Sequence, residues 1–295
     1  MKKFIILIPV YNDWKSVIKL LENIDLQITE WDAKVSVLIV NDASTEERVL
    51  TKLSYTNLKS VRVMNMKRNR GHARCYATGL KFLIQKEDFD YVILMDADGE
   101  DRPEELSLLF KKTKENPLKA VTANRTKRAD GFFFKLLYVC HKILTYVFTG
   151  KLVKFGNYSC LPNAEATRLA KEACIWSSFS GSVTKIIANW VSVPSIRGTR
   201  YFGPSQMNFL KLVAHSFSII AVFKKSVIVR SVLFLIFYLF FVSSNLSIVT
   251  LFPVLIIFIF LFLIFKVSSR ENIEALNNSL ENISSIDVLS DLNNR

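Results

Sequence analysis

From Ser231 to Phe265 the chain runs for 35 residues without a charged side chain. As one helix, at ~1.5 Å per residue, that stretch would be about 52 Å long. The hydrocarbon core of a bilayer is only about 30 Å thick. The polar break Ser243-Ser244-Asn245 therefore divides the run into two helices, near 226–243 and 246–265, with Pro253 tolerated inside the second. Arg230, near the start of the first, can snorkel towards water. Lys224, Lys225 and Arg230 precede the pair, Lys266 and Arg270 follow it, and the turn between has no Lys or Arg. By the positive-inside rule both ends are cytosolic, giving a transmembrane hairpin. A buried core hairpin is the competing reading, but Phe258-Ile259-Phe260-Leu261-Phe262 is apolar on every face, which a half-exposed helix is not.

Charge follows the same division. Of 295 residues, half are hydrophobic and the net charge is +13. Residues 131–270 hold 15 basic and only two acidic side chains, Glu165 and Glu172, and so carry an excess equal to that of the whole chain. Residues 271–295 carry one basic and five acidic side chains. A basic, apolar half points to anionic lipid or phosphate-bearing partners. It tracks the membrane segments rather than a recognition motif, so nucleic acid is not expected as a partner. The hydrophobic content excludes a disordered chain. Four cysteines without a CxxC, and three histidines without ligand spacing, show neither a disulfide framework nor a zinc site. Met1-Lys2-Lys3 and the short apolar run after it stop at Pro9, too soon for a signal peptide. The reading is of a cytosolic catalytic region at the inner membrane, with both termini in the cytosol.

The first 125 residues alternate between strands and helices. Apolar runs of strand length are Phe4–Val10, Val35–Val40, Val61–Met64, Tyr91–Met95 and Ala120–Ala123. Helical patterns lie between them, near 14–24, 45–54, 72–86 and 103–114, the last with Pro103 in its first turn and Asp101 as the expected cap. Continuous apolar strands separated by helices imply an α/β fold, a mostly parallel sheet covered on both faces. Ligands of such sheets bind beyond the carboxyl ends of the strands. The polar clusters fall there: Tyr11-Asn12-Asp13, Asn41-Asp42 and Asp96-Ala97-Asp98. No GxGxxG or GxxxxGK[ST] is present, which argues against a dinucleotide site or a P-loop.

Asp96-Ala97-Asp98-Gly99-Glu100-Asp101 says most about chemistry. Two carboxylates two residues apart at a strand end can approach one hard cation, Mg²⁺ or Mn²⁺, which shares its oxygen ligands with substrate phosphates. An acidic turn that only caps the next helix is the plainer alternative. Asn69-Arg70-Gly71-His72-Ala73-Arg74 opens a helix, and a free helix N-terminus beside a glycine suits a phosphate or sugar close to the backbone.

Together these elements resemble the inverting glycosyltransferases of family 2, with the GT-A (Rossmann-like) fold. The matching stretches are Pro9-Val10-Tyr11-Asn12, Val40-Asn41-Asp42, Asn69-Arg70-Gly71-His72-Ala73, and Met95-Asp96-Ala97-Asp98 with Pro103-Glu104. The layout looks like the polyprenyl-phosphate branch, that of dolichol-phosphate mannose synthases and bactoprenol glucosyltransferases. The resemblance implies that Pro9, Tyr11, Asn12, Asp42, Asn69, Gly71, His72 and Asp96 hold a nucleoside-diphosphate sugar. It implies that Asp98, with Asp96 and Glu100, holds the divalent metal. Asp96, Asp98, Arg125 and Arg200 are the expected catalytic groups, and the loop from Arg197 to Met207 resembles an Arg-containing Gly-x-Ser-Lys loop. Gln206 stands where that loop usually has Lys, and Asn157 where many relatives have an acid.

Transfer to a sugar hydroxyl needs a general base on the acceptor side. From Ala173 to Arg270 there is no acid, and Glu165 and Glu172, in one helical stretch with Arg168 and Lys171, read as surface ion pairs. A phosphate acceptor is already an anion. It needs cationic clamps, for which Arg125, Arg128, Lys135, Arg197 and Arg200, with Ser205, are the candidates. The expectation is therefore an enzyme moving a hexose to a polyprenyl phosphate at the cytosolic membrane face. The alternative is a membrane-anchored transferase extending a lipid-linked glycan at a hydroxyl, with Asp130 as base; a degenerate transferase serving as a membrane scaffold stands third. Phe132–Phe148 and Met207–Phe223 read as interfacial amphipathic helices. The expected organisation is a donor core over 1–125, an acceptor-side region over 126–225, the hairpin over 226–266, and a frayed or weakly helical polar tail over 267–295 without catalytic role. A homo-oligomer is compatible with all of this.

Overall fold

The computed structural model describes residues 1–48, 55–127, 132–204 and 209–292, and for residues 127 and 132–138 the backbone alone. In chain order the elements are β1 (Lys2–Val10), α1 (Trp14–Gln27), β2 (Ala33–Asn41), β3 (Leu58–Met66), α2 (His72–Lys86), β4 (Tyr91–Leu94), α3 (Leu106–Glu115), β5 (Ala120–Lys127), α4 (Phe132–Thr149), β6 (Phe155–Pro162), α5 (Asn163–Ala170) and α6 (Phe179–Ile186). There follow β7 (Trp190–Ile196), α7 (Phe209–Ala221), α8 (Lys224–Val242), α9 (Ile248–Ser268), α10 (Ile273–Asn277) and β8 (Ile283–Asp291).

The strands form one mixed sheet in the order β7-β5-β6-β4-β1-β2-β3-β8. The block β3-β2-β1-β4 is parallel, whereas β6 runs antiparallel to both neighbours and β8 antiparallel to β3. Successive side chains of a strand point to opposite faces, and β1 serves two cores in this way. Phe4, Ile6, Ile8 and Val10 pack with α1 residues on one face; Ile5 and Leu7 pack with α2 residues on the other. Pro9 offers no N–H to a ladder, and it sits beyond Leu7, the last β1 residue that pairs with β4.

Two helices are long and apolar enough to cross a membrane, and a short 3₁₀ turn over Ser243–Asn245 joins them. Their outer surfaces stay bare of protein: Phe240 is 75% exposed and Ile248 90%. Ser247 and Thr250 form a reciprocal capping box at the start of α9. At the other end Lys224 and Glu271 pair at 3.2 Å and tie the two ends of the hairpin together. α4 and α7 pack on this same end, through Phe148 and Phe217 against Phe260. Val139, Ile143, Val147 and Leu210 remain exposed on α4 and α7. Arg230 has a more specific task than snorkelling: its Nη1 donates to the Val147 carbonyl at 3.1 Å, near the end of α4.

Several expectations are corrected. Residues 271–292 are not a frayed tail, because β8 adds an edge strand to the sheet. No helix covers residues 45–48, and residues 49–54 of that expected helix lie outside the described residues. Asp101 does not cap the turn at Pro103; it turns inward, as described below. Arg125 lies within β5, not after it. α5 ends at Ala170, so Glu172 does not share a helix with Glu165.

Candidate active site

The parallel strands end in three polar turns on one edge of the sheet. After β1, Asn12 adopts φ 50° and fastens the turn that follows β2. Its Oδ1 accepts from the Thr45 and Glu46 N–H groups at 2.8 and 3.1 Å, and its N–H donates to Ser44 Oγ. Tyr11 beside it is 47% exposed. After β2, Asp42 is buried, and its two oxygens accept the backbone N–H groups of Arg70 and Gly71, both at 2.8 Å. Asp42 thus acts on the turn between β3 and α2. Gly71 sits at φ 91°, the left-handed region that suits glycine, and lets the chain enter α2.

The turn after β4 carries the acids. Asp96 Oδ1 accepts from the Tyr76 hydroxyl at 2.8 Å and the Asn157 amide at 3.2 Å, and lies 3.0 Å from His72 Nε2. Burial alone would raise the Asp96 pKa; the His72 charge and these hydrogen bonds win, holding it below the usual carboxylate range. Conversely, burial works against a charged His72, and Asp96 outweighs it, so His72 is raised. Asp98 differs. Burial first, then the charges of Asp96 and Glu100, push it up to about 6 against the pull of Arg200. Asp101 is pushed up to about 7 by burial and Asp96, against Arg125. Its Oδ2 accepts the Asp96 N–H at 3.0 Å.

The loop after β7 closes over this turn. Gly198 N–H donates to the Glu100 carbonyl at 2.8 Å and Tyr201 N–H to the Asp98 carbonyl at 2.9 Å. Gly99, at φ 86°, lies under the Tyr201 ring, where a Cβ would come within 2.6 Å of ring carbon. Arg200 bridges two turns, reaching Asp98 Oδ2 and Asp13 Oδ2 at 2.6 Å each. Arg197 pairs with Glu100. Arg125 lies 3.7 Å from Asp101 and packs against Gly156.

The structure thus gathers Asp96, Asp98, Glu100, Arg125, Arg197, Arg200 and His72 in one place. Asp42, Asn12, Asn69 and Gly71 belong to adjoining turns, and Pro9 is buried in β1. Arg128, Ser205 and Asp130 lie outside the described residues, as does the side chain of Lys135. Sequence reasoning passed over Tyr76, left Asp13 as part of a polar turn and Asp101 as a helix cap, and treated Asn157 only as a lost acid. Asn157 and Tyr76 are instead donors to Asp96. Beside an ionised Asp96, a second carboxylate at position 157 would face like charge.

Among the described residues no three His, Cys, Asp or Glu side chains form a closed metal cage. A Mg²⁺ ion that takes substrate phosphates as ligands needs only one or two carboxylates. The hard oxygens of Asp98 and Glu100, each ion-paired with an arginine, are of the kind such an ion takes.

Carboxylates at the carboxyl ends of a parallel block are closed over by an arginine loop on a GT-A fold. Solved structures share this fold. Glucosyl-3-phosphoglycerate synthase from Mycobacterium tuberculosis matches with TM-score 0.54 and 11% identity, over 76% of this chain and 80% of that one. Mannosyl-3-phosphoglycerate synthase from Rubrobacter xylanophilus matches with TM-score 0.54 and 14% identity, over 75% and 72%. The chain belongs to glycosyl transferase family 2, whose model matches residues 5–169. The undecaprenyl-phosphate 4-deoxy-4-formamido-L-arabinose transferases of Klebsiella pneumoniae (strain 342) and Proteus mirabilis are similar to it, at 27% and 26% identity over 72% of this chain. The chain spans 64% of the length of these curated relatives.

Proposed function

We propose that the protein transfers a sugar from a nucleoside-diphosphate sugar to a polyprenyl phosphate at the cytosolic face of the membrane, with inversion at the anomeric carbon. One observation carries the choice of acceptor. Among the described residues, the half of the chain beside the membrane brings arginines to the site and no carboxylate. Glu165 is taken up by Arg168 at 2.9 Å on α5, and Glu172 lies in the turn after that helix. A sugar hydroxyl needs a base there, whereas a phosphate needs cations. The similar transferases from Klebsiella and Proteus are named for an undecaprenyl-phosphate substrate, which supports the same reading.

In this reading an acceptor phosphate oxygen forms the new bond to the anomeric carbon as the bond to the donor diphosphate breaks. The nucleoside diphosphate leaves with the electron pair, and no proton moves. Arg197 and Arg200 orient the two phosphates and offset their charge, and Arg125 fixes Asp101 behind them. Asp98, with Asp96 and Glu100, would hold Mg²⁺ or Mn²⁺, which when bound neutralises the leaving diphosphate. The glucosyl-3-phosphoglycerate synthase relative is described with Mn²⁺ and uridine diphosphate, in support of that cofactor class. Asn12, Asp42 and the Asn69–Gly71 turn shape the nucleotide side. The hairpin and the exposed faces of α4 and α7 hold this site at the bilayer, with both termini in the cytosol.

The test is a panel of radiolabelled uridine- and guanosine-diphosphate sugars, supplied with undecaprenyl phosphate to the purified full chain. A glycolipid that extracts into organic solvent and carries a single phosphate is expected. Label found only in a lipid-diphosphate glycan would overturn the acceptor assignment.

A further inference from the structure

Beside the active site, a cleft separates the start of α2 from the chain that leaves the membrane hairpin. It holds about 150 Å³, and its lining includes Arg70, Gly71 and His72 of the turn into α2, with Arg74, Trp176 and Arg270. A second hollow of about 360 Å³ shares Arg70 and Trp176 and extends past Lys67 and Arg68. The Arg74 guanidinium lies 5.6 Å from the centroid of the Trp176 ring, and its Nη1 donates to the Arg70 carbonyl at 2.8 Å. Among the described residues no carboxylate forms an ion pair with Arg70, Arg74 or Arg270. Burial, and after it the charges of Arg270 and Arg70, lower the Arg74 pKa, so like charges crowd this cleft. Asp42, the one acid that acts on Arg74, is buried and already accepts two backbone N–H bonds.

The level of the cleft is set by Arg270, two residues past the end of α9. Lys224, at the start of α8, pairs with Glu271, so the cleft opens where both ends of the hairpin leave the apolar layer. Guanidinium groups match phosphate oxygens in pairs, and an aromatic ring beneath one of them fixes its plane.

We infer that this cleft binds a phosphate-bearing anion at the membrane surface, held between Arg74 and Arg270 at the outer edge of the donor-side turn that carries Gly71 and His72. Such an anion links the start of α2, whose His72 touches Asp96, to the membrane anchor. Neither the sugar nor the acceptor enters into this inference. Two sources offer the chemistry, an anionic phospholipid headgroup and free phosphate.

Binding is read from tryptophan emission of the full chain in neutral detergent, titrated at constant ionic strength against chloride. One arm uses inorganic phosphate and the other dihexanoyl phosphatidylglycerol. Saturable change is expected in at least one arm, weakened tenfold or more in the Arg74→Gln/Arg270→Gln double variant. Saturation by the lipid alone assigns the headgroup; saturation by both at similar concentration assigns phosphate itself. If neither probe saturates, or if the double variant binds within twofold of the native chain, the site is overturned. Should the double variant lose its cooperative melt, Arg270→Gln alone, at the exposed end of the cleft, is judged by the same two criteria.

Discussion

The two halves of the site are built from different materials. On the donor side, Asp42, Asp96 and Asp98 stand just past the ends of β2 and β4, where buried strands fix their backbone. On the membrane side, Arg197 and Arg200 also follow a strand, β7, but both are tied by ion pairs to the acids of the other half. The acids are placed by strand ends, and the arginine loop that leaves β7 is fastened in addition by those acids. Arg200 reaches back across 187 residues to Asp13 and 102 to Asp98, so the loop's position depends on charge from the other half. The donor half takes its shape from buried strands, and the loop half takes part of its shape from ion pairs with that half.

The largest test removes the shared pivot. Asp98→Asn should lower kcat/KM by about 1000-fold, since it takes away both the proposed metal ligand and an anchor for Arg200, within the range for loss of a central electrostatic group. The glycolipid assay measures it, and an unchanged melting midpoint would show that the sheet does not depend on this acid. Arg200→Gln should come next. A hydrogen bond to a charged group contributes ~1.5–3 kcal/mol, so the loss should be about 10- to 100-fold. If the halves divide as described, the loss will fall on kcat and on acceptor KM, with nucleotide affinity unmoved. Arg200→Lys should recover only part of it, because one ammonium cannot serve Asp13 and Asp98 as a planar fork does.

Asn157→Asp probes the reverse case, an acid added to the acidic half. Two carboxylates near 3 Å apart cannot both ionise cheaply, so the pair should take up a proton well above the usual carboxylate range. Activity should fall by about tenfold, judged from a like-charge shift of one to two pKa units at ~1.4 kcal/mol each. The sign is set by that proton. The deficit should be larger at pH 8, where both acids are ionised, than at pH 6, and a pH–rate profile would read it.

The same contrast explains what could be read from sequence. Strand ends were legible, because Phe4–Val10 and Tyr91–Leu94 are apolar runs of strand length and the acids follow them directly. The helix at His72–Lys86 and the hairpin followed from period and length for the same reason. The partners of the arginines were not legible, since no local pattern links Arg200 to Asp13. The role of Asn157 is not legible locally, because it depends on Asp96, which it meets across the sheet. β8 was hidden by its own exposure. As an edge strand, Ile283–Asp291 buries little beyond Ser290, so its composition is that of a polar tail.

That edge strand gives the finest test, because it joins a third region to the donor half. Asp287 accepts from Arg48 at 2.7 Å and from Asn65 at 2.9 Å, and Asn41, the residue before Asp42, donates to Asn65 at 2.9 Å. A chain segment that follows the membrane hairpin thus braces the turn after β2 from the outside. Both partners of the ion pair are about one-third exposed, so its contribution is discounted to ~0.2–1 kcal/mol. Asp287→Ala should then lower the melting midpoint slightly and raise donor KM by about two- to threefold, with kcat unchanged. The hydrogen bond from Arg48 lowers the Asp287 pKa against the pull of burial. The bracing is therefore complete above the ordinary carboxylate pKa and fades as pH falls through the depressed one. The native chain and the variant should differ in stability at pH 7 and converge in acid. A variant that loses kcat as strongly as Arg200→Gln would place β8 inside the arginine-dependent half, and the division between a sheet-fixed donor side and a charge-fixed membrane side would no longer hold.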